Sequence, residues 1–293
     1  MRSPVTNTEN VRIVESIPSK LIIRKYLKEL NINVSRFFET DTVKIFECLD
    51  TGYKFYYPFN IIGDDKLYED LQAIGGYYST WNWEHEVAFN QIKKNDKVLE
   101  VGCGDGGFIS KLKGANIDCC GLELNKKAVE VCLQKGLVVF DELLEEHKVK
   151  RPDFYDVVCS FQVLEHISDV ESYINDSIDV VKVGGKIIFG VPNNNPFIFK
   201  RDIYHTLNMP PHHMGLWSEG SFKSLEKYYR MKLIDIKVEP LREVRKYLNV
   251  SLEYNNLFLL KKITKYIPAI LIRPIAKIMK WKGRHLIGIF EKT

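Results

Sequence analysis

Between residues 83 and 191 the sequence alternates five short apolar runs with stretches of helical period, and nothing else in the text restricts the fold as strongly. The runs are Val98 to Val101, Ile117 to Leu122, Leu137 to Phe140, Val157 to Ser160 and Lys186 to Val191. Each is either rich in β-branched residues or apolar on both faces, as a strand covered by helices on both sides must be. Strands alternating with helices predict βαβ units, so the expected core is an α/β, doubly wound, Rossmann-like sheet. Beyond Pro192 the text predicts a helix over Glu219 to Tyr229 and two further strands, Leu233 to Val238 and His285 to Lys292.

Residues 1–80 have a different texture, mixing short helix-like and strand-like pieces with many aromatics, and are expected to form a small accessory module. Within it, Asp50 to Gly52 marks a turn between strands. Residues 81–293 would carry the main domain, with a basic helical insertion over 242–284. That insertion holds eleven lysines and arginines against only Glu243 and Glu253. The whole chain carries a formal charge of only +4, which excludes the strong overall field of a dedicated nucleic-acid binder. At 45% hydrophobic residues it can bury a large core, so disorder is excluded as the dominant state.

The first apolar run leads into Gly102-Cys103-Gly104-Asp105-Gly106-Gly107. Gly102, Gly104 and Gly107 satisfy G-x-G-x-x-G between a strand and a helix, and Glu123 lies about twenty residues further on. This pattern alone does not separate a dinucleotide from other adenosine cofactors. The charges around it do. A pyrophosphate dianion at this loop would be repelled by Glu100 and Asp105, with no lysine or arginine between them to compensate. S-adenosylmethionine instead presents an ammonium group and a sulfonium centre, which those carboxylates attract. Glu100 near the strand end is placed for the ammonium group, and the glycines let backbone approach without a Cβ in the way. Glu123 ends the second strand, where a carboxylate accepts both ribose hydroxyls, and Leu124 would flank the adenine.

Val98-Leu-Glu-Val-Gly-Cys-Gly-Asp-Gly-Gly-Phe108, Glu123, Phe161-Gln-Val-Leu-Glu-His-Ile167 and Gly184-Gly-Lys-Ile-Ile-Phe-Gly-Val-Pro-Asn193 resemble, in order and spacing, the successive motifs of class I S-adenosylmethionine-dependent methyltransferases. The resemblance covers roughly residues 83–237. It implies a seven-stranded sheet with a reversed last strand, and S-adenosyl-L-methionine as cofactor, held by Glu100, Gly102, Cys103, Gly104, Glu123, Leu124, Phe161 and Gln162. It also implies that Leu164 to His166 open the next helix. Tyr77, Tyr78, Trp81 and Trp83 either close over the methionyl end, as the corresponding segment does in similar enzymes, or form an aromatic seam between module and core.

The acceptor belongs beyond the carboxyl ends of the strands, where strands one and four face each other. His166 there is either a base or a residue bonded to backbone. The loops Pro192 to Pro196 and Pro210 to Trp217 follow, and in similar methyltransferases such loops contribute acceptor contacts. Of these, His212 or His213 would either deprotonate a hydroxyl or serve packing and hydrogen bonding. Neither has a cysteine or acidic neighbour at metal spacing, so no metal is expected. Cys48 likewise stands alone, unlike the several cysteines near the N-terminus of related zinc-bearing sugar methyltransferases. A base is optional in any case, because methyl transfer from a sulfonium is an in-line displacement with a neutral leaving group.

The expected partner is a small-molecule acceptor, most simply a hydroxyl of a sugar or glycan precursor. That class rests on the resemblance of residues 46–83 to methyltransferases associated with bacterial surface-polysaccharide synthesis. A quinone or lipid methyltransferase is the alternative favoured by the basic insertion, whose amphipathic text suits an anionic membrane surface, a lid or a dimer contact. The plain reading of the insertion is a helix packed on the core with a solvated basic face, broken by Pro268 and Pro274. A non-catalytic methyltransferase-like subunit and, remotely, a nicotinamide oxidoreductase remain open. The polar opening residues lack the apolar stretch of a secretory signal and the six cysteines include no C-x-x-C pair, so a cytoplasmic location is expected.

Overall fold

The computed structural model describes residues 1–74, 81–194 and 205–293. Its central sheet is built from β4 (Lys97–Val101), β5 (Asp118–Leu122), β6 (Val139–Phe140), β7 (Tyr155–Phe161), β8 (Val181–Pro192), β10 (Met231–Val238) and β11 (His285–Lys292). The strand order is β10-β11-β8-β7-β4-β5-β6. Strands β4 to β8 pair in parallel, whereas β11 runs antiparallel to both β8 and β10, which makes the last strand the reversed one. From β4 the chain moves outward to β5 and β6, then returns to lay β7 on the other side of β4. The crevice of such a sheet opens at that reversal, at the carboxyl ends of β4 and β7.

Both faces are covered, which is why the strands read as apolar without alternation. One face buries Leu99, Val101, Val158, Ile187 and Phe189. The other buries Val98, Val157, Cys159, Ile188 and Ile287 against Phe108 and Ala88. Helices α3 (Trp83–Phe89), α4 (Gly107–Gly114), α5 (Lys126–Gln134), α6 (Leu144–Lys150) and α7 (Val170–Val180) flank these strands. Their starts are set by local chemistry: the Asn125 side chain accepts from the amides of Lys127 and Ala128, and Asp169 accepts from Ser172. Helix α7 therefore begins at Val170, and Leu164 to His166 lie in the turn before it rather than opening the helix. The expected helix over Glu219 to Tyr229 is shorter, α8 (Glu219–Ser224) followed by a 3₁₀ turn at Leu225–Lys227.

The first eighty residues contribute α1 (Ser19–Leu30), α2 (Asp65–Ala73), and a second sheet in the order β1 (Val11–Pro18), β2 (Thr42–Cys48), β3 (Lys54–Tyr57), β9 (Gly215–Leu216). The turn between β2 and β3 is closed by the Gly52 amide on the Cys48 carbonyl, 2.8 Å, with Gly52 left-handed at φ 70°. Strand β9 comes from the loop that follows β8, so this sheet is completed by a segment from within the main domain. Met209 and Met214 of the same loop fill its core beside Ile22, Tyr26 and Leu67. Tyr53, Phe55 and the fully buried Trp217 join the main core instead. Each such side chain contributes roughly 1.5–3 kcal/mol by leaving water.

The insertion folds as α9 (Val244–Tyr254), α10 (Phe258–Lys261) and α11 (Ala269–Ile278) around its own small cluster of Val244, Tyr247, Ile272, Ala276 and Trp281. Pro268 caps α11, but Pro274 lies inside it and does not break it. The carbonyl deprived of a helical partner there belongs to Ile270, an exposed residue that water can reach. The basic face of the insertion is solvated, with Lys261, Lys262, Lys265, Arg273, Lys277 and Lys280 exposed, but it is not purely polar. Leu259, Ile263, Ile270, Leu271, Ile275 and Ile278 are exposed among the lysines. No helix among the described residues is long and apolar enough to cross a membrane.

Candidate active site

Sequence places the glycine loop directly after β4, and its backbone explains the glycines. Gly102, Gly104 and Gly106 take left-handed φ values of 73°, 54° and 80°, whereas Gly107 is the first residue of α4. The third glycine of the expected pattern is thus a helix start, and the left-handed turn falls on its neighbour Gly106. At Gly102 a Cβ would also sit 2.4 Å from Cγ2 of Val163, so β4 and the β7 turn approach as closely as hydrogen permits.

Under this loop lies Glu100, 3% exposed, with Oε2 lacking any hydrogen-bond partner in the structure. Burial pushes its carboxyl well above the ordinary range, and nearby Cys132, Glu123 and Asp105 push the same way. A carboxylate in this position is stable only beside a cation. Glu123, at the end of β5, is anchored at both oxygens: Oε2 accepts from the Gly104 amide and Oε1 from the Asn125 amide, each 2.8 Å. Each oxygen keeps a further lone pair for a diol. Leu124 beside it is half exposed and available as an apolar wall.

Two expected cofactor contacts are turned away from the loop surface. Cys103 is buried and its Sγ occupies the space above Gly121, where a Cβ would lie 2.4 Å from it. The ring of Phe161 packs edge-to-face on His85 and Phe108 at centroid distances of 4.8 and 5.1 Å. Gln162 is held differently. It is left-handed at φ 55°, and its Nε2 donates to Oε1 of Glu84, 2.6 Å. Glu84 is fully buried on α3, and Gly190 on β8 makes room for it. Sequence reasoning passed over Glu84, because a single carboxylate inside the aromatic text Trp83-Glu-His85 reads equally well as exposed.

Trp81 stacks on Phe108 at 24° and meets His85 and Phe89, so it packs in an aromatic cluster of the main domain, and Trp83 packs on the same cluster. Tyr77 and Tyr78 lie outside the described residues, as do Asn195 and Pro196 of the loop after β8.

The three histidines, expected as separate candidates, are brought together beyond the end of β7. His166 places Nδ1 2.5 Å from the His212 carbonyl, the backbone-bonded alternative expected for it. His212 and His213 stack at 20° and are 5% and 6% exposed. Burial holds His166 down to about 4 and both partners well below the usual imidazole range, with the His212 and Gln162 carbonyls only partly opposing at His166. Imidazoles that so resist a proton are poor general bases. Glu165, fully buried beside them, is a second residue that sequence reasoning left unweighed.

With this geometry in view, the comparisons are specific. Residues 80–229 match a family described as a methyltransferase domain. Over 105 residues, 34% of the chain, the sequence is 34% identical to a ubiquinone biosynthesis O-methyltransferase of Klebsiella pneumoniae, covering 43% of that protein. The chain thus spans less than half the length of that curated relative. Among solved structures, a SAM-dependent methyltransferase from Archaeoglobus fulgidus aligns with a TM-score of 0.51 at 17% identity, over 78% of this chain and 95% of that one. The Burkholderia thailandensis 1,6-didemethyltoxoflavin-N1-methyltransferase, with bound 1,6-didemethyltoxoflavin and S-adenosylhomocysteine, aligns with a TM-score of 0.51 at 12% identity, over 78% and 84%. At these identities the two structures establish the shared fold.

Proposed function

The chain belongs to the class I S-adenosylmethionine-dependent methyltransferases, and from that premise we propose that it methylates a hydroxyl of a small molecule, a sugar or glycan precursor being the first class to test. The observation that carries the cofactor in this reading is the buried, unpartnered Oε2 of Glu100 under a loop of left-handed glycines, and the hydroxyl acceptor is supported by the similarity to O-methyltransferases. When bound, S-adenosylmethionine supplies an electrophilic methyl on a sulfonium.

The chain's own residues do the rest. Glu100 takes the ammonium group, directly or through water, and is ionised by it. Glu123 offers its remaining lone pairs to the ribose hydroxyls while the Gly104 and Asn125 amides fix its orientation. Leu124 walls the adenine. Gln162, locked by Glu84, fixes the floor of the crevice at the end of β7. The low proton affinity of His166, His212 and His213 favours a mechanism of positioning over one with a histidine base.

A second reading, an acceptor of quinone or lipid type met at a membrane surface, is favoured by the exposed apolar and lysine-rich face of α10 and α11.

The test is incubation of the purified chain with methyl-labelled cofactor and cell extract divided into water-soluble and lipid fractions, read by mass spectrometry. Label in a soluble glycan precursor supports the first reading, and label in the lipid fraction the second. Cofactor binding with no labelled product in either fraction would overturn both in favour of a non-catalytic subunit.

A further inference from the structure

The arrangement of His166, His212 and His213 has a further use. One ring nitrogen from each lies within 4.8 Å of the other two. In every ring Nδ1 is engaged with an oxygen: the His212 carbonyl for His166 at 2.5 Å, the Leu207 carbonyl for His212 at 2.8 Å, and the Asn208 Oδ1 for His213 at 3.2 Å. A carbonyl oxygen only accepts, so Nδ1 is the protonated nitrogen of each neutral ring and Nε2 carries the lone pair. The Asn208 amide is oriented by its own Nδ2, which donates to Asn194 Oδ1.

An imidazole whose far nitrogen donates to a carbonyl is the arrangement that metal-ligating histidines adopt, because it fixes the tautomer and the ring. The independent observation is Glu165. It is fully buried, neither carboxylate oxygen has a hydrogen-bond partner, and Oε1 faces Nε2 of His166 at 3.9 Å and of His213 at 4.0 Å. An unpartnered buried carboxylate costs several kcal/mol unless a proton or a cation joins it.

We propose that His166, His212, His213 and Glu165 bind one divalent transition-metal ion of the zinc class, which pins the loop carrying residues 205–217 to the end of β7. Four protein ligands leave no open coordination position, so the site is structural rather than catalytic. Ligand atoms about 2 Å from a tetrahedral ion lie roughly 3.3 Å apart, so the rings of His212 and His213, stacked at 20°, turn toward each other when the ion binds. The ion's charge satisfies the carboxylate, and nitrogen with oxygen donors suits zinc, cobalt, nickel or ferrous iron over magnesium or calcium. Chain spacing around His212 and His213 offers no third ligand. The fold supplies it from 46 residues away. The inference is independent of the methyl acceptor.

The test uses the full chain free of any affinity tag, stripped with a chelator and titrated with Co2+. The expected result is one equivalent bound, with visible d–d bands, no thiolate charge-transfer band, displacement by Zn2+ and a raised melting temperature. Glu165→Gln and His166→Gln should each weaken binding at least about ten-fold. Because either variant could misfold, the wild-type spectrum decides first. Failure of the stripped wild-type chain to take up Co2+ or Zn2+ would overturn the site, as would thiolate bands or affinity unchanged in both variants. Stabilisation by Glu165→Gln without any metal effect would show that a proton satisfies the carboxyl, and would also overturn it.

Discussion

Gln162 donates from Nε2 to Oε1 of Glu84 across 2.6 Å, tying the left-handed turn at the end of β7 to the first turn of α3. Burial pushes the Glu84 carboxyl up to about 8, with the Gln162 bond partly opposing and Glu239 adding a little. The folded chain therefore holds a proton that the unfolded chain releases near its ordinary 4.5. The stability this group contributes is full below that value, declines as pH rises, and is lost above about 8. Denaturant titrations of wild type and Glu84→Gln should agree at a pH of about 3.5, below the ordinary value. At pH 7 the variant, which keeps the neutral shape and the bond, should be more stable by roughly 3 kcal/mol. Equal stabilities at both pH values would contradict the assignment.

Glu100→Gln copies the neutral form of the buried acid, so the fold should survive unchanged. What it removes is the charge that meets the cofactor's ammonium group. Affinity for S-adenosylmethionine and for S-adenosylhomocysteine, which carries the same group, should fall about ten- to hundred-fold, as for a hydrogen bond to a charged group. Calorimetry on both ligands measures it, and undiminished affinity would remove Glu100 from the site.

At Gly102 two penalties coincide, a left-handed φ of 73° and a Cβ 2.4 Å from Cγ2 of Val163. Gly102→Ala should cost about 2 kcal/mol or more of stability, combining strain with overpacking. Val163→Ala in the same chain should recover the overpacking part only. Full recovery in thermal melts would show that the backbone carries no strain.

Leu259, Ile263, Ile270 and Ile278 are exposed beside Lys261, Lys262 and Lys277. Sedimentation with anionic vesicles should carry the chain down, less so in high salt and little with neutral vesicles. Serine at Leu259, Ile270 and Ile278 together should abolish it without changing the melting temperature, since none of the three joins the Tyr247–Trp281 cluster. Indifference to vesicle charge would withdraw the membrane reading.

The strands of the central sheet were legible because each is apolar enough to be covered on both faces, and the glycine loop because Gly102 and Gly104 take the left-handed φ that favours glycine. Less was legible where a residue's role depends on a partner distant in sequence. Leu164 to His166 read as a helix start, yet Asp169 is the residue whose side chain caps α7. Pro274 read as a break, yet it lies within a helix whose Ile270 faces water. Glu84 and Glu165 carry no local signature of burial, since a single carboxylate in aromatic text reads equally well as exposed.

Local pattern alone determined the doubly wound sheet, the order of its elements and the placement of Glu100 and Glu123 at strand ends, because these follow from side-chain period and backbone sterics within a few residues. Only the folded chain decided that β9 completes the N-terminal sheet, that Gln162 is locked by Glu84, and that His166, His212 and His213 come together, two of them facing Glu165. Those relations join residues 46 to 162 positions apart, from His166 with His212 to Lys54 with Leu216. Contacts at such separations are fixed by packing of whole elements, which no short stretch of sequence encodes.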